Sequence, residues 1–81
     1  MTKEINIVAF ICNDDLTITI EFSDGKKQIV DVGAFIRKHP HPHYTKYLIP
    51  KNFRKCRLSY GNIVWGNDLE FHIENLYANK I

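Results

Sequence analysis

The chain has 81 residues, 44% of them hydrophobic and 25% charged, with 11 Lys plus Arg against 9 Asp plus Glu for a formal net charge of +2. That length holds one hydrophobic core and no large catalytic cleft, because small domains bury only about 60% of the surface their unfolded chains expose. The longest apolar run, residues 7–12, is far below the roughly 18 to 20 residues of a membrane span, and Met1-Thr2-Lys3-Glu4 lacks the layout of a secretory leader, so one cytoplasmic domain over 1–81 with no membrane partner is expected.

The first half reads as a β-meander. Residues 5–12 are apolar on both faces in their second half, which predicts a strand covered on both sides or central in its sheet. Asn13-Asp14-Asp15 supplies a turn. Leu16, Ile18, Ile20 and Phe22 then alternate with Thr17, Thr19 and Glu21, the period-two pattern of a half-buried strand whose polar face sees solvent. Asp24-Gly25 marks the next hairpin turn, and residues 27–32 return as a third strand.

Asp31 is placed to cap a helix of about two turns over 32–38, with Val32, Phe35 and Ile36 on one side and Arg37 and Lys38 near its end, where cations suit the dipole. Gly33 weakens that helix, and His39-Pro40 stops it. Residues 39–53 read as mostly irregular, with one short turn over 44–48 after Pro42, closed by Ile49-Pro50. Residues 54–60 alternate again, with Cys56, Leu58 and Tyr60 on one face and Lys55, Arg57 and Ser59 on the other. Gly61-Asn62 predicts a type II′ hairpin into Ile63-Val64-Trp65. Gly66-Asn67-Asp68 breaks that strand, Leu69 and Phe71 pack back, and Ile73, Leu76 and Tyr77 mark a short closing helix. The expected class is α+β: a three-stranded antiparallel meander, a short helix with an irregular basic connection, a β-hairpin, and a C-terminal helix.

Cys12 and Cys56 form no Cys-x-x-Cys pair and read as reduced, mostly buried thiols; a single Cys12–Cys56 bridge is geometrically open if their strands are neighbours, but a reducing compartment disfavours it. Charge is distributed unevenly: residues 1–31 carry three bases against six acids, residues 32–57 carry seven bases and no acid, and the remainder carries one base against three acids. The seven bases are Arg37, Lys38, Lys46, Lys51, Arg54, Lys55 and Arg57. Interleaved with Tyr44, Tyr47 and Phe53, they can contact phosphates and stack bases, meet an acidic protein, or form a solvated face.

His39-Pro40-His41-Pro42-His43 places three imidazoles on an extended backbone, a candidate metal tripod at His39, His41 and His43. A polyproline path would instead splay the rings. No nucleophile elbow, phosphate loop or metalloprotease helix is present. His72 beside Asp68, Glu70 and Glu74 is the remaining acid/base candidate, outweighed by capping and surface roles. Neither catalysis nor a cofactor is expected.

Phe22-x-Asp24-Gly25-Lys26, Val30-Asp31, Phe53, the run Gly61-Asn62-Ile63-Val64-Trp65-Gly66-Asn67-Asp68-Leu69 and a final Leu76-Tyr77 together resemble the small bacterial family known as domain of unknown function 2442 (DUF2442). The resemblance covers about residues 7–77 and implies an α+β domain, found alone or joined to a helix-turn-helix domain. Its members are often encoded beside another small protein, as in a toxin–antitoxin-like pair, and no catalytic residue carries over. The chain departs from the pattern at His72, where many relatives have proline, and in the 39–43 repeat. Trp65 and Tyr77 are read as core residues or interface anchors. The function expected is a non-catalytic interaction module, the antitoxin-like or regulatory half of a two-protein pair or a homodimer through an open strand edge; the alternative is a nucleic-acid-binding, transcription-regulatory module using residues 37–57.

Overall fold

A computed structural model describes residues 4–81; Met1, Thr2 and the base Lys3, on which the reading of the N-terminal leader partly rests, lie outside the described residues. Six strands form two antiparallel sheets of three: β1 (Ile7–Cys12), β2 (Thr17–Phe22) and β3 (Lys27–Asp31) in order β1-β2-β3, then β4 (Arg57–Ser59), β5 (Asn62–Trp65) and β6 (Leu69–Phe71) in order β4-β5-β6. Between the sheets run α1 (Val32–Lys38), α2 (Pro42–Thr45), a 3-10 turn (Lys46–Leu48) and α3 (Pro50–Phe53), and α4 (Ile73–Ala78) closes the chain. The α+β class is therefore as expected, and the expected hairpin is widened by β6.

One hydrophobic cluster joins the inner faces of both sheets to the helices. Ile18, Ile20 and Phe22 of β2, Val32 and Ile36 of α1, Phe53, Ile63, Trp65 and Leu76 are all essentially inaccessible. Burying side chains of that size contributes roughly 1.5–3 kcal/mol each before conformational entropy is set against it. Edge-to-face aromatic contacts bind the middle of the cluster, with Phe71 5.0 Å from Phe35 and 5.7 Å from Trp65 between ring centroids.

Local cues set several boundaries. Asp31 Oδ1 accepts from the Ala34 amide at 3.0 Å and so caps α1. Gly33 sits inside that helix because a Cβ there would come within 3.0 Å of Leu16 Cβ, so its lack of side chain lets the β1–β2 turn close onto the helix. Asn62 Oδ1 accepts from the Ile73 amide at 3.0 Å, capping α4 from another element where His72 makes no side-chain cap. At its far end Asn79, at φ 57°, and the Lys80 amide on the Asn75 carbonyl form a Schellman termination.

Five local expectations are corrected. β1 lies at a sheet edge and β2 at the centre, and the apolar β1 leaves Val8 and Ile11 largely exposed. The polar face of β2 is half-buried rather than open, with Thr17 and Thr19 both taking hydrogen bonds from Asn13 Nδ2 at 3.0 Å. Residues 42–53 are mostly helical: Pro42 and Pro50 each open a helix, since proline's fixed φ suits the first turn and its missing N–H leaves no bond unmade. The α3 terminus then consumes residues 54–55, which delays β4 to Arg57. The β4–β5 turn carries Tyr60 and Gly61 at φ 50° and 82°, both positive as in a type I′ turn rather than the expected II′.

The cysteines are also corrected. Cys12 and Cys56 are half-buried and joined in a disulfide, because the end of β1 abuts the segment leading into β4. Their Cα atoms lie 7.3 Å apart, and two residues before Cys56 the Arg54 guanidinium bonds Asp14 Oδ1 at 2.6 Å. The segment before β4 is thus fastened twice, to the end of β1 and to the β1–β2 turn.

Candidate functional site

All seven bases of the middle segment are exposed, and the elements that carry them pack in sequence: α1 against α2 and the 3-10 turn, and that turn against α3. Two of the seven have carboxylate partners, Lys46 with Asp68 at 2.6 Å and Arg54 with Asp14. Among the described residues Arg37, Lys38, Lys51, Lys55 and Arg57 have none. Exposed Ile49 and Leu58 lie within the same stretch. The stretch therefore carries five exposed cations without a carboxylate partner among the described residues, with apolar side chains between them in sequence.

Of the aromatics interleaved with the bases, two lie in the core and the third is half-buried. Phe53 is fully buried, Tyr47 is 6% exposed, and Tyr44 is half-buried with its ring 6.1 Å from Phe35. Trp65 is fully buried and donates Nε1–H to the Phe53 carbonyl at 2.8 Å. It is a core residue that ties β5 to the end of α3.

A polar cluster is centred on Asp68. The Tyr47 hydroxyl reaches Asp68 Oδ2 at 3.0 Å and the Trp65 carbonyl at 3.2 Å, so its single hydrogen faces two acceptors. Lys46 Nζ touches the same carboxylate and His43 Nδ1 lies 3.5 Å from its other oxygen. Hydrogen bonding from Lys46, then from Tyr47, holds the Asp68 carboxyl below the usual carboxylate range. Reciprocally, the bond to Asp68 raises Lys46, while burial and then Asp68 raise Tyr47.

A second cluster of the same residue types joins α4 to the β2–β3 turn. The Tyr77 hydroxyl donates to Asp24 Oδ2 at 2.5 Å, and the Tyr77 carbonyl accepts from Lys26 Nζ and Gln28 Nε2, each at 2.9 Å. Lys26 Nζ also lies 4.1 Å from the Tyr77 ring centroid, and the ring meets Phe22 edge-on at 4.9 Å. Asp24 is lowered chiefly by the Tyr77 hydroxyl, then by the Lys26 amide, and Tyr77 is raised by the same bond. Tyr77 thus latches α4 onto the β2–β3 turn.

The histidine tripod does not assemble. The chain is extended only up to His41, and α2 begins at Pro42, which carries His43 into a helix. His39 packs on Phe35 with ring centroids 4.6 Å apart, whereas His41 and His43 stack on each other at 5.0 Å. Among the described residues no three His, Cys, Asp or Glu side chains are grouped to hold a metal ion. Glu74 lies in a separate cleft with no histidine in its lining, and it makes no hydrogen bond or ion pair with His72 among the described residues.

That cleft, of about 540 Å³, was not foreseen. It lies between the N-terminal segment 4–6, the β4–β5 turn and α4, and its walls include Glu4, Ile5, Tyr60, Ile73, Glu74 and Tyr77. Glu74 and Tyr77 are near neighbours on α4, but the approach of Glu4 and Tyr60 depends on tertiary folding. Among the described residues no helix is long and apolar enough to cross a membrane.

Comparison with known proteins identifies one family. The family model described as a protein of unknown function, DUF2442, matches residues 7–81, essentially the whole chain, and the chain belongs to that family. No curated protein and no solved structure matches it. The residues that carried the resemblance sort into the physical clusters described above: Phe22, Asp24, Lys26 and Tyr77 in the latch, Phe53 and Trp65 in the core contact, and Asp68 in the polar cluster.

Proposed function

We propose that this member of the DUF2442 family is a non-catalytic interaction module that binds an acidic protein, as the regulatory or antitoxin-like half of a two-protein pair. The carrying observation is five exposed cations without a carboxylate partner among the described residues, Arg37, Lys38, Lys51, Lys55 and Arg57, with Ile49 and Leu58 exposed in the same stretch. Cations steer an acidic partner into register, and apolar side chains between them give the encounter something to bury. Burial of Tyr47 and Phe53 takes two of the three interleaved aromatics out of reach of a single-stranded nucleic acid.

The test is co-purification of the full chain from its native cell at low and high salt, beside the Lys51→Glu/Lys55→Glu/Arg57→Glu variant. The expected result is one defined acidic protein, retained by the wild type at low salt and lost from the variant. Recovery of nuclease-sensitive nucleic acid in its place supports the DNA-regulatory reading instead. Equal retention of the protein by the charge-reversed variant overturns the proposed surface.

A further inference from the structure

We propose that the cleft between residues 4–6, the β4–β5 turn and α4 is a second binding site, and that it takes an arginine or lysine side chain presented by a basic peptide segment. The site carries the opposite charge to the cations of the middle segment. Its charged lining residues are Glu4 and Glu74, and among the described residues no base lines it and neither carboxylate has an ion-pair partner. Ile5 and Ile73 supply apolar wall for an alkyl stem, and two tyrosines, Tyr60 and Tyr77, also line this open cleft.

Tyr60 is the least explained residue of the fold on structural grounds alone. It is fully exposed at 102% and holds φ 50° in a turn where Asn or Gly would sit with less strain. It contributes nothing to the core, and it is among the residues that line the cleft. An aromatic face beside carboxylates is the chemistry that receives an ammonium or a guanidinium. Tyr77 already does this within the fold, where Lys26 Nζ stands 4.1 Å from its ring centroid. An apolar ligand would leave Glu4 and Glu74 unused, and an anionic one would be repelled by them.

The probe is a blocked pentapeptide with a central arginine, compared with its lysine and citrulline counterparts by amide chemical-shift titration of the full chain. Arginine and lysine peptides are expected to shift Tyr60, Gly61 and Glu74 amides, with affinity falling as salt rises. Citrulline, equal in shape and uncharged, is expected to shift none of them. Tyr60→Asn suits the type I′ turn and is expected to keep or raise Tm while weakening arginine-peptide binding roughly two- to fivefold; Glu74→Gln is expected to weaken it as well, and Tyr60→Phe to preserve it. Absence of shifts with the arginine peptide, equal shifts with citrulline, or unchanged binding by both Tyr60→Asn and Glu74→Gln would overturn the assignment. These readouts do not depend on the cationic surface, so either site can fail without the other.

Discussion

The molecule contains two Tyr–Asp–Lys clusters of near-identical chemistry in unlike settings. Tyr47, Asp68 and Lys46 lie over the Trp65 core, with the Tyr47 ring buried and its hydroxyl at the rim beside the Trp65 carbonyl. Tyr77, Asp24 and Lys26 lie at the surface, and there the tyrosine works through three parts at once: hydroxyl to Asp24, ring under Lys26, carbonyl to Lys26 and Gln28. The first cluster joins the helical connection to the second sheet, and the second joins α4 to the first sheet. The same three residue types therefore serve as a sheltered anchor in one place and a surface latch in the other, and burial of the ring, more than the polar bonds, separates them.

Removing the floor of the sheltered cluster is the severest way to break this comparison. Trp65→Ala takes a fully buried side chain out of the core, frees the Phe53 carbonyl and is expected to cost about 3–5 kcal/mol, read as a shift of the denaturation midpoint or as failure to fold. Tyr47→Phe keeps the ring and deletes only the hydroxyl, so a loss of about 1 kcal/mol, some 4–8 °C in Tm, is expected in thermal melts. Tyr77→Phe is expected to lower Tm by less, because water replaces the lost bond at an exposed site. A larger fall for Tyr77→Phe than for Tyr47→Phe would reverse the ranking of anchor and latch.

Acid sharpens the comparison further. Asp24 and Asp68 are both lowered in the fold, so each contributes stability that is fully present above the ordinary carboxylate value near 4 and is lost as pH falls through its lowered folded value. Urea titrations across that range are expected to show a steep acid limb, shallower in Asp24→Asn and in Asp68→Asn. At the alkaline end the raised tyrosines reverse the sign: their contribution holds below about pH 10 and is lost as pH rises through the folded values.

The clusters also mark where reading along the chain stops working. The alternation of β2, the Asp31 cap, Gly25 and the spacing of Ile73, Leu76 and Tyr77 are local signals, and each led to its element. The bond between Tyr77 and Asp24 spans 53 positions and that between Tyr47 and Asp68 spans 21, and no periodicity encodes such separations. For the same reason the run of seven bases was visible, whereas the pairing of Lys46 and Arg54 with distant carboxylates was not. The apolar β1 misled in a different way. Hydrophobicity on both faces normally signals a central strand, but in a sheet of three strands there is one centre, and β2 occupies it. The edge strand that remains carries neither the lysine nor the proline that commonly protects such edges. In the helical connection the signal was present, since Pro42 and Pro50 both stand at first-turn positions, where proline starts a helix as readily as it ends one.

The bond between Cys12 and Cys56 also has a mechanical meaning. It closes a loop spanning 44 positions whose ends are held 7.3 Å apart, and β2, β3, α1, α2 and α3 all lie inside it. A pull applied to the chain on either side is carried across the bridge and bypasses the loop. Only β1 on one side, and β4 to β6 with α4 on the other, can be drawn out while the bond holds. Reduction would release a hidden length of about 150 Å of extended backbone. Oxidation state therefore sets how far the protein can be stretched, and it divides the fold into a protected middle and two extensible ends that the sheet boundaries do not follow.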